Sequence, residues 1–266
     1  MFEFRSALRL RHYQVSTPLW TATPLRIAVL SDLHVIRPWS SLDRLRKACN
    51  LIQKQAADLI LLPGDFITSP RMPGLRALVE EIAPILATLK APLGVFASLG
   101  NHDWRDCPRT RATGFLRSYV AEVLENWGIP VLSNASRQLD TFWLVGFDSG
   151  QGEGSVRKPN SRIDRAKAFA EVPAGAPVVL MAHEPDCFAA PDPRVALQVS
   201  GHTHAGQMNL LGWRPLTPSR HGSRYAVGAI SNGSHRLVVS AGWGFSGVPL
   251  RVDAPSEITL IELSGA

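Results

Sequence analysis

Residues 25–34 read LRIAVLSDLH: an aliphatic run broken only by Arg26 stops at Ser31, and the polar pair Asp32 and His34 follows. Such density of β-branched and aliphatic residues over six positions predicts a buried strand, with Asp32 and His34 in the loop beyond its carboxyl end. The same design recurs downstream. Leu59 to Leu62 runs into Gly64-Asp65, and Leu93 to Leu99 runs into Gly100-Asn101-His102-Asp103.

The intervals connect these strands. Residues 41–56 carry Leu42, Leu45, Ala48, Cys49 and Ile52 at helical spacing, and residues 73–89 also read as helix. Asp65 lies 33 residues after Asp32, and Asn101 lies 36 residues after Asp65. Both distances suit a strand-helix-strand unit, so two consecutive units predict a parallel sheet. Ligands of such sheets bind beyond the carboxyl ends of the strands, where these polar blocks fall.

The second half has a different texture. A helix is expected over 111–127, with Phe115, Leu116, Tyr119, Val123 and Leu124 as its apolar stripe, and another near 161–170. Strands are expected at 143–147, 178–181, 195–199, 224–230, 235–241 and 257–263, a mostly β layer on the same core. His183 and Gly201-His202-Thr203-His204 follow two of them. No linker divides the chain, which reads as an N-terminal extension (1–23) and a single domain (24–266).

Composition excludes several classes. With 45% apolar and 19% charged residues the chain is globular rather than disordered. Every apolar stretch is interrupted short of the ~18 residues of a membrane span, and the start has no secretory h-region. Cys49, Cys107 and Cys187 form no Cys-X-X-Cys pair and cannot all pair with one another, so a reducing, cytoplasmic setting is expected. A net charge of +6 favours anionic partners. The basic residues are dispersed, without the dense aromatic interleaving of a nucleic-acid groove, so a phosphorylated small molecule or lipid headgroup is the expected substrate. Residues 2–12 alternate Phe2, Phe4, Leu8 and Leu10 with Arg5, Arg9, Arg11 and His12. They form either an edge strand or a basic amphipathic segment for peripheral contact with an anionic inner membrane.

Taken singly, the polar blocks mean little, since Asp-X-His is frequent and a lone histidine such as His183 is usually a core or surface residue. Five of them in one order, each after a predicted strand, supply the oxygen and nitrogen ligands of a two-metal centre. The set resembles the calcineurin-like metallophosphoesterase superfamily, whose pattern DxH, GD, GNH(D/E), H and GHxH is matched from 32 to 204. GHTHAGQ at 201–207, PSRHGSRYAVG at 218–228 and SGVPLRVDAPSEITLIEL at 246–263 further resemble its bacterial YkuE/YaeI-type branch. Ala205 stands where that branch usually has glycine.

The resemblance implies an α/β fold with a β-sandwich core flanked by helices, four layers α/β/β/α, and an active site at the carboxyl ends of the strands. It implies Asp32, His34 and His204 on one divalent ion, Asn101, His183 and His202 on another, and Asp65 bridging both. A hydroxide shared by the ions would attack phosphorus, with His102 as general acid and Asp103 orienting it. The ligand types suit Mn first, with Fe, Zn, Co or Ni as alternatives. The implied substrate is a phosphodiester or pyrophosphate, of the lipid-linked UDP-2,3-diacylglucosamine type or soluble. A nuclease or cyclic-nucleotide phosphodiesterase and a non-catalytic scaffold are the competing readings; retention of His102 argues against the scaffold.

Outside the motifs, Arg220 and His221 are candidate phosphate contacts because they follow the GHTH loop. Arg105, Arg109 and Arg111 read as a solvated helix entry, Trp243 and Phe245 as packing, and the glycine-rich 148–160 as a solvated connection, with a loop that moves over a substrate as the alternative.

Overall fold

The strand Leu25–Val29 lies in the middle of a five-stranded sheet whose order is Arg9–Ser16, Glu257–Ser264, Leu25–Val29, Leu59–Pro63, Val95–Ser98. The structure is a computed structural model that describes residues 2–3, 8–152 and 160–266, with backbone alone at 2–3. Leu25–Val29, Leu59–Pro63 and Val95–Ser98 run parallel, in registers that include Ile27↔Leu59 and Ile60↔Val95. The helix Leu42–Gln53 bridges the first pair: Ser41 caps it by accepting from the Arg44 N–H at 3.2 Å, and Leu45, Ala48, Cys49 and Ile52 form its buried face.

Alternation along the central strand explains the layering. Ile27 and Val29 point into one core with Leu61, Phe96, Leu144, Val179 and Ile261, while Ala28 and Leu30 point into another with Leu45, Ile52 and Ile82. The first core lies between this sheet and a second of six strands, ordered Gly228–Asn232, His235–Val239, Val195–Ser200, Val178–Met181, Phe142–Gly146, Ala135–Leu139. Its four central strands are parallel. The far face of the second sheet is covered by the short helix Arg165–Ala168 with Phe169 and Val172, and by the 3₁₀ segment Pro185–Ala189. The result is the expected α/β/β/α arrangement. Trp243 and Phe245 are fully buried, in agreement with packing.

Three elements differ from the sequence expectation. The predicted 73–89 helix shrinks to Val79–Leu86, because Leu75–Arg76 instead pairs with Ile36–Arg37 beyond the Pro73-Gly74 break. The 111–127 helix splits into Pro108–Ala112 and Tyr119–Asn126, since Gly114 and Phe115 take φ of 65° and 62°; Leu116 leaves the apolar stripe and is 86% exposed. The strand placed at 224–230 starts at Gly228, after a 3₁₀ turn over Gly222–Tyr225. Residues 9–16, grouped with the extension, pair along eight positions with Glu257–Ser264 as the sheet's edge strand. The 153–159 part of the 148–160 loop and residues 1 and 4–7 lie outside the described residues.

Candidate metal centre

Both sheets direct the carboxyl ends of parallel strands toward one site. Asp32 and His34 follow Leu25–Val29, Asp65 follows Leu59–Pro63, and Asn101 and His102 follow Val95–Ser98; His183 follows Val178–Met181, and His202 and His204 follow Val195–Ser200. The loops are held in costly conformations: Asp32, His34, Asp65, His202, His204 and Ala205 all have φ between 39° and 70°. Left-handed backbone costs a non-glycine residue about 1–2 kcal/mol, so its concentration here marks a site whose geometry is over-determined by surroundings.

The motif glycines act by close approach. A Cβ on Gly100 would lie 2.2 Å from Asp65 Oδ1, and one on Gly201 would lie 2.3 Å from Asp32 Oδ2. Only glycine lets these loops pass against the two carboxylates.

Three interlocking groups of ligand atoms result: Asp32, His34 and His204; His34, Asp65 and His102; Asp65, His183 and His202, each within 4.8 Å mutually. Asp65 belongs to two. Its Oδ1 accepts the His102 N–H at 2.9 Å, which turns Oδ2 to His183 Nε2 (3.2 Å), His34 Nε2 (3.4 Å) and His102 Nε2 (4.0 Å). Asp32 is held by the Ser31 hydroxyl and the His202 N–H, with His204 Nε2 at 3.5 Å.

Backbone carbonyls define the tautomers, because a carbonyl only accepts. His34 Nδ1–H donates to Ile67 O (2.9 Å) and His183 Nδ1–H to Pro63 O (2.7 Å). In its neutral form each of these rings turns Nε2, a lone pair, toward the cluster, as outer hydrogen bonds do for metal-bound imidazoles. Among the proposed ligands, two buried atoms make no hydrogen bond: His34 Nε2 and Asn101 Oδ1. Leaving a buried polar atom unpaired costs about 1–3 kcal/mol, and a cation beside each would satisfy it. The donor set fits divalent ions.

Electrostatics agree. Burial alone would raise Asp65, yet the adjoining His183 and His102 outweigh it and hold the carboxyl well below its ordinary range. Burial lowers His183, and the Asp65 charge and hydrogen bond carry it well above normal; His204 is held well below by burial, His34 and Arg251. The buried Arg251 guanidinium lies 3.1 Å from His204 Nδ1 and donates to the Gly244, Ala241 and Ala254 carbonyls, tying the loop after Ser240 to the His204 loop.

Asp103 does not orient His102. Its carboxylate accepts from the backbone N–H groups of Asp65 (2.8 Å), Phe66 (2.9 Å), Ile67 (3.3 Å) and Gly100 (2.9 Å), because as third residue of the helix Asn101–Arg105 it folds back on the helix start. Asp106, one turn on, takes that place, 2.5 Å from His102 Nδ1. The i,i+4 spacing on a helix was the available signal. Arg105 is no simple solvated entry either: its guanidinium lies 3.3 Å from both ring nitrogens of His102.

Neither Arg220 nor His221 belongs to the ligand groups. Arg220 is exposed, 3.8 Å from Asp186, and lines a cavity of about 310 Å³ with Gln151, Glu184 and Arg165; His221 packs edge-on against Tyr225. Besides Asp106 and Arg251, Gln151 and Glu184 escaped the sequence reading. Gln151 places its amide 2.7 Å from His202 Nε2, and the buried Glu184 fastens that loop by accepting from Ser149 Oγ and the Gly150 N–H. Adjacency to His183 was the only hint of Glu184.

Two sheets converge on a buried Asp/His cluster around one shared carboxylate, the donor set of a dinuclear divalent-metal site, and comparison with known proteins places the chain among metal-dependent phosphoric ester hydrolases. The Calcineurin-like phosphoesterase profile matches residues 25–206, and the chain belongs to that family. It is 30% identical over 249 residues to phosphodiesterase YaeI of Escherichia coli (91% of this chain, 83% of that protein). It is 29% identical over 245 residues to the metallophosphoesterase YkuE of Bacillus subtilis (90% and 78%). A Danio rerio transmembrane protein with a metallophosphoesterase domain is 30% identical over 247 residues (91% of this chain), and the chain spans 54% of its length.

Proposed function

We propose that the chain hydrolyses a phosphodiester or pyrophosphate, with His102 as the general acid that protonates the leaving oxygen. The observation that carries this reading is the two-sided tethering of His102: Nδ1 on Asp106 at 2.5 Å, and Nε2 facing the metal cluster, 4.0 Å from Asp65. It is also less buried than the other histidines of the cluster, so its Nε2 can meet a substrate oxygen.

In this scheme Asp32, His34 and His204 would hold one divalent ion and Asn101, His183 and His202 a second, with Asp65 between. Bound metal there would supply Lewis acidity and charge neutralisation for the phosphoryl oxygens. Asp106 accepts from Nδ1–H, and it is as the imidazolium, with a second proton on Nε2, that His102 protonates the departing oxygen and is left neutral. Mn is the proposed metal, supported by a ligand set of carboxylate, amide and imidazole without thiolate.

The test is hydrolysis of an aryl phosphodiester by the Mn-loaded protein, beside UDP-2,3-diacylglucosamine and cyclic nucleotides. Turnover lost on chelation, restored by Mn and abolished in Asp65→Ala supports the reading. Turnover indifferent to chelation contradicts it.

A further inference from the structure

Five of the nine large apolar side chains exposed among the described residues cluster beside the metal loops: Leu210 (46%), Leu211 (106%), Trp213 (66%), Leu216 (57%) and Val248 (46%). Leu210 and Trp213 exchange backbone hydrogen bonds at 2.8 and 3.1 Å, which closes a hairpin whose two-residue tip is Leu211-Gly212. Both tip residues are left-handed, with φ of 55° and 98°. Such a turn calls for Asn or Gly at the first position. A fully exposed leucine there gains nothing for the fold and bears the cost of left-handed backbone.

The base of the hairpin is fastened to the metal centre. Arg214 Nε donates to Ala205 O at 3.1 Å, and Pro218 O lies 2.9 Å from His202 Nε2. Gln207 Nε2 donates to Val248 O at 2.8 Å, which ties the Val248 segment to the same loop. The hairpin thus projects from the loops that carry His202 and His204. Arg214, Arg220 and Arg224 follow on the same segment, and the chain carries a net charge of +6. Val252 bridges to Met208, at the base of the hairpin, and pairs with the backbone of Phe2.

We propose that the 210–216 hairpin docks on an anionic lipid surface, with Leu210, Leu211, Trp213 and Leu216 entering the interfacial region and the arginines at headgroup level. The metal centre then faces phosphoesters of lipid headgroups. This second part rests on the hydrolytic reading above; the docking itself does not. A bilayer suits the shape better than a protein partner does. A narrow tip of five side chains falls far short of the roughly 20–30 residues a side of a stable protein interface, whereas apolar side chains with a tryptophan and adjoining arginines match the layering of a membrane interface.

The test is co-sedimentation of the full-length, Mn-loaded protein with phosphatidylcholine vesicles, with and without phosphatidylglycerol. Wild type is expected to pellet with the anionic vesicles. Leu211→Asn/Trp213→Ser is expected to bind about tenfold or more weakly while its melting temperature holds or rises, since Asn suits the turn. Trp127→Ser, exposed elsewhere on the surface, should bind as wild type does. Wild type left in the supernatant, or equal pelleting of the hairpin variant, overturns the proposal. So does self-association lost in that variant without vesicle binding, which would make the hairpin a protein interface. Hydrolysis of a soluble aryl phosphodiester should be equal in wild type and variant. Vesicle binding without any hydrolysis would leave docking intact and refute the hydrolytic reading instead.

Discussion

His102 Nδ1 lies 2.5 Å from the Asp106 carboxylate, one helical turn along, and this contact decides where the transferable proton resides. With Nδ1–H committed to Asp106, Nε2 is the nitrogen turned to substrate. Replacing Asp106 by Asn keeps the shape and removes the charge that fixes the ring. For an alkyl leaving group kcat should fall about 10–100-fold, with KM nearly unchanged, because general acid catalysis as a whole contributes about 10²–10⁴. A change in KM alone would count against the assigned role.

Leaving-group chemistry separates His102 from the metal ligands. Nitrophenolate departs readily without a proton, whereas an alkoxide does not. His102→Gln should therefore cost on the order of 100-fold or more with an alkyl ester and much less with a nitrophenyl ester. Asp65→Ala should abolish both. Equal losses for both esters in His102→Gln would place His102 among the ligands.

Asp103 and Asp106 should separate in the same way by assay. Asp103 gathers four backbone N–H groups from two motif loops, so Asp103→Ala leaves buried donors unpaired, at about 1–3 kcal/mol each before relaxation. The expected result is a large drop in melting temperature together with lost metal. Asp106→Asn should melt close to wild type at neutral pH and lose activity. Reversal of these two phenotypes would refute the assignment.

The Asp106 contact also has a signed pH dependence. Burial would raise its carboxyl, but the hydrogen bond and charge of His102, with Arg105, outweigh burial and lower it. A carboxyl lowered on folding adds stability that is fully present above its unfolded pKa of about 3.9 and is lost as pH falls through the lower folded value. The stability gap between ion-free wild type and Asp106→Asn should thus close as pH falls below about 5. Denaturant titrations across that range measure it, and a gap that widens in acid contradicts the account.

Gly100 tests the close approach of the loops. Gly100→Ala puts a methyl where Asp65 Oδ1 and the Asp65 N–H now lie, so overpacking of about 1–3 kcal/mol or more is expected. Metal affinity should fall with it. Calorimetric titration with Mn reads the second effect, and unchanged affinity would show that the glycine is not needed for Asp65 placement.

Much of this site was legible because strands end abruptly. LRIAVL and LILL stop at polar residues, and period and spacing alone placed Asp32, His34 and Asp65 beyond parallel strands. Asp103 was misread because sequence adjacency to His102 says nothing about direction: successive helical residues point about 100° apart, and Asp103 folds onto the helix start while Asp106 shares the His102 face. The shortened helices were hidden by local competition, a Pro73-Gly74 break and a left-handed Gly114-Phe115 pair that apolar periodicity ignores. Gln151 and Arg251 reach the site only through tertiary folding, and no local pattern marks them.

Two ions should flank Asp65, with His102 binding neither. Anomalous diffraction from crystals of the Mn-loaded protein reads both points at once. Two peaks about 3.5–4 Å apart are expected, both bonded to Asp65, with His102 Nε2 beyond bonding distance of each. A single peak, or a peak bonded to His102, would contradict this arrangement.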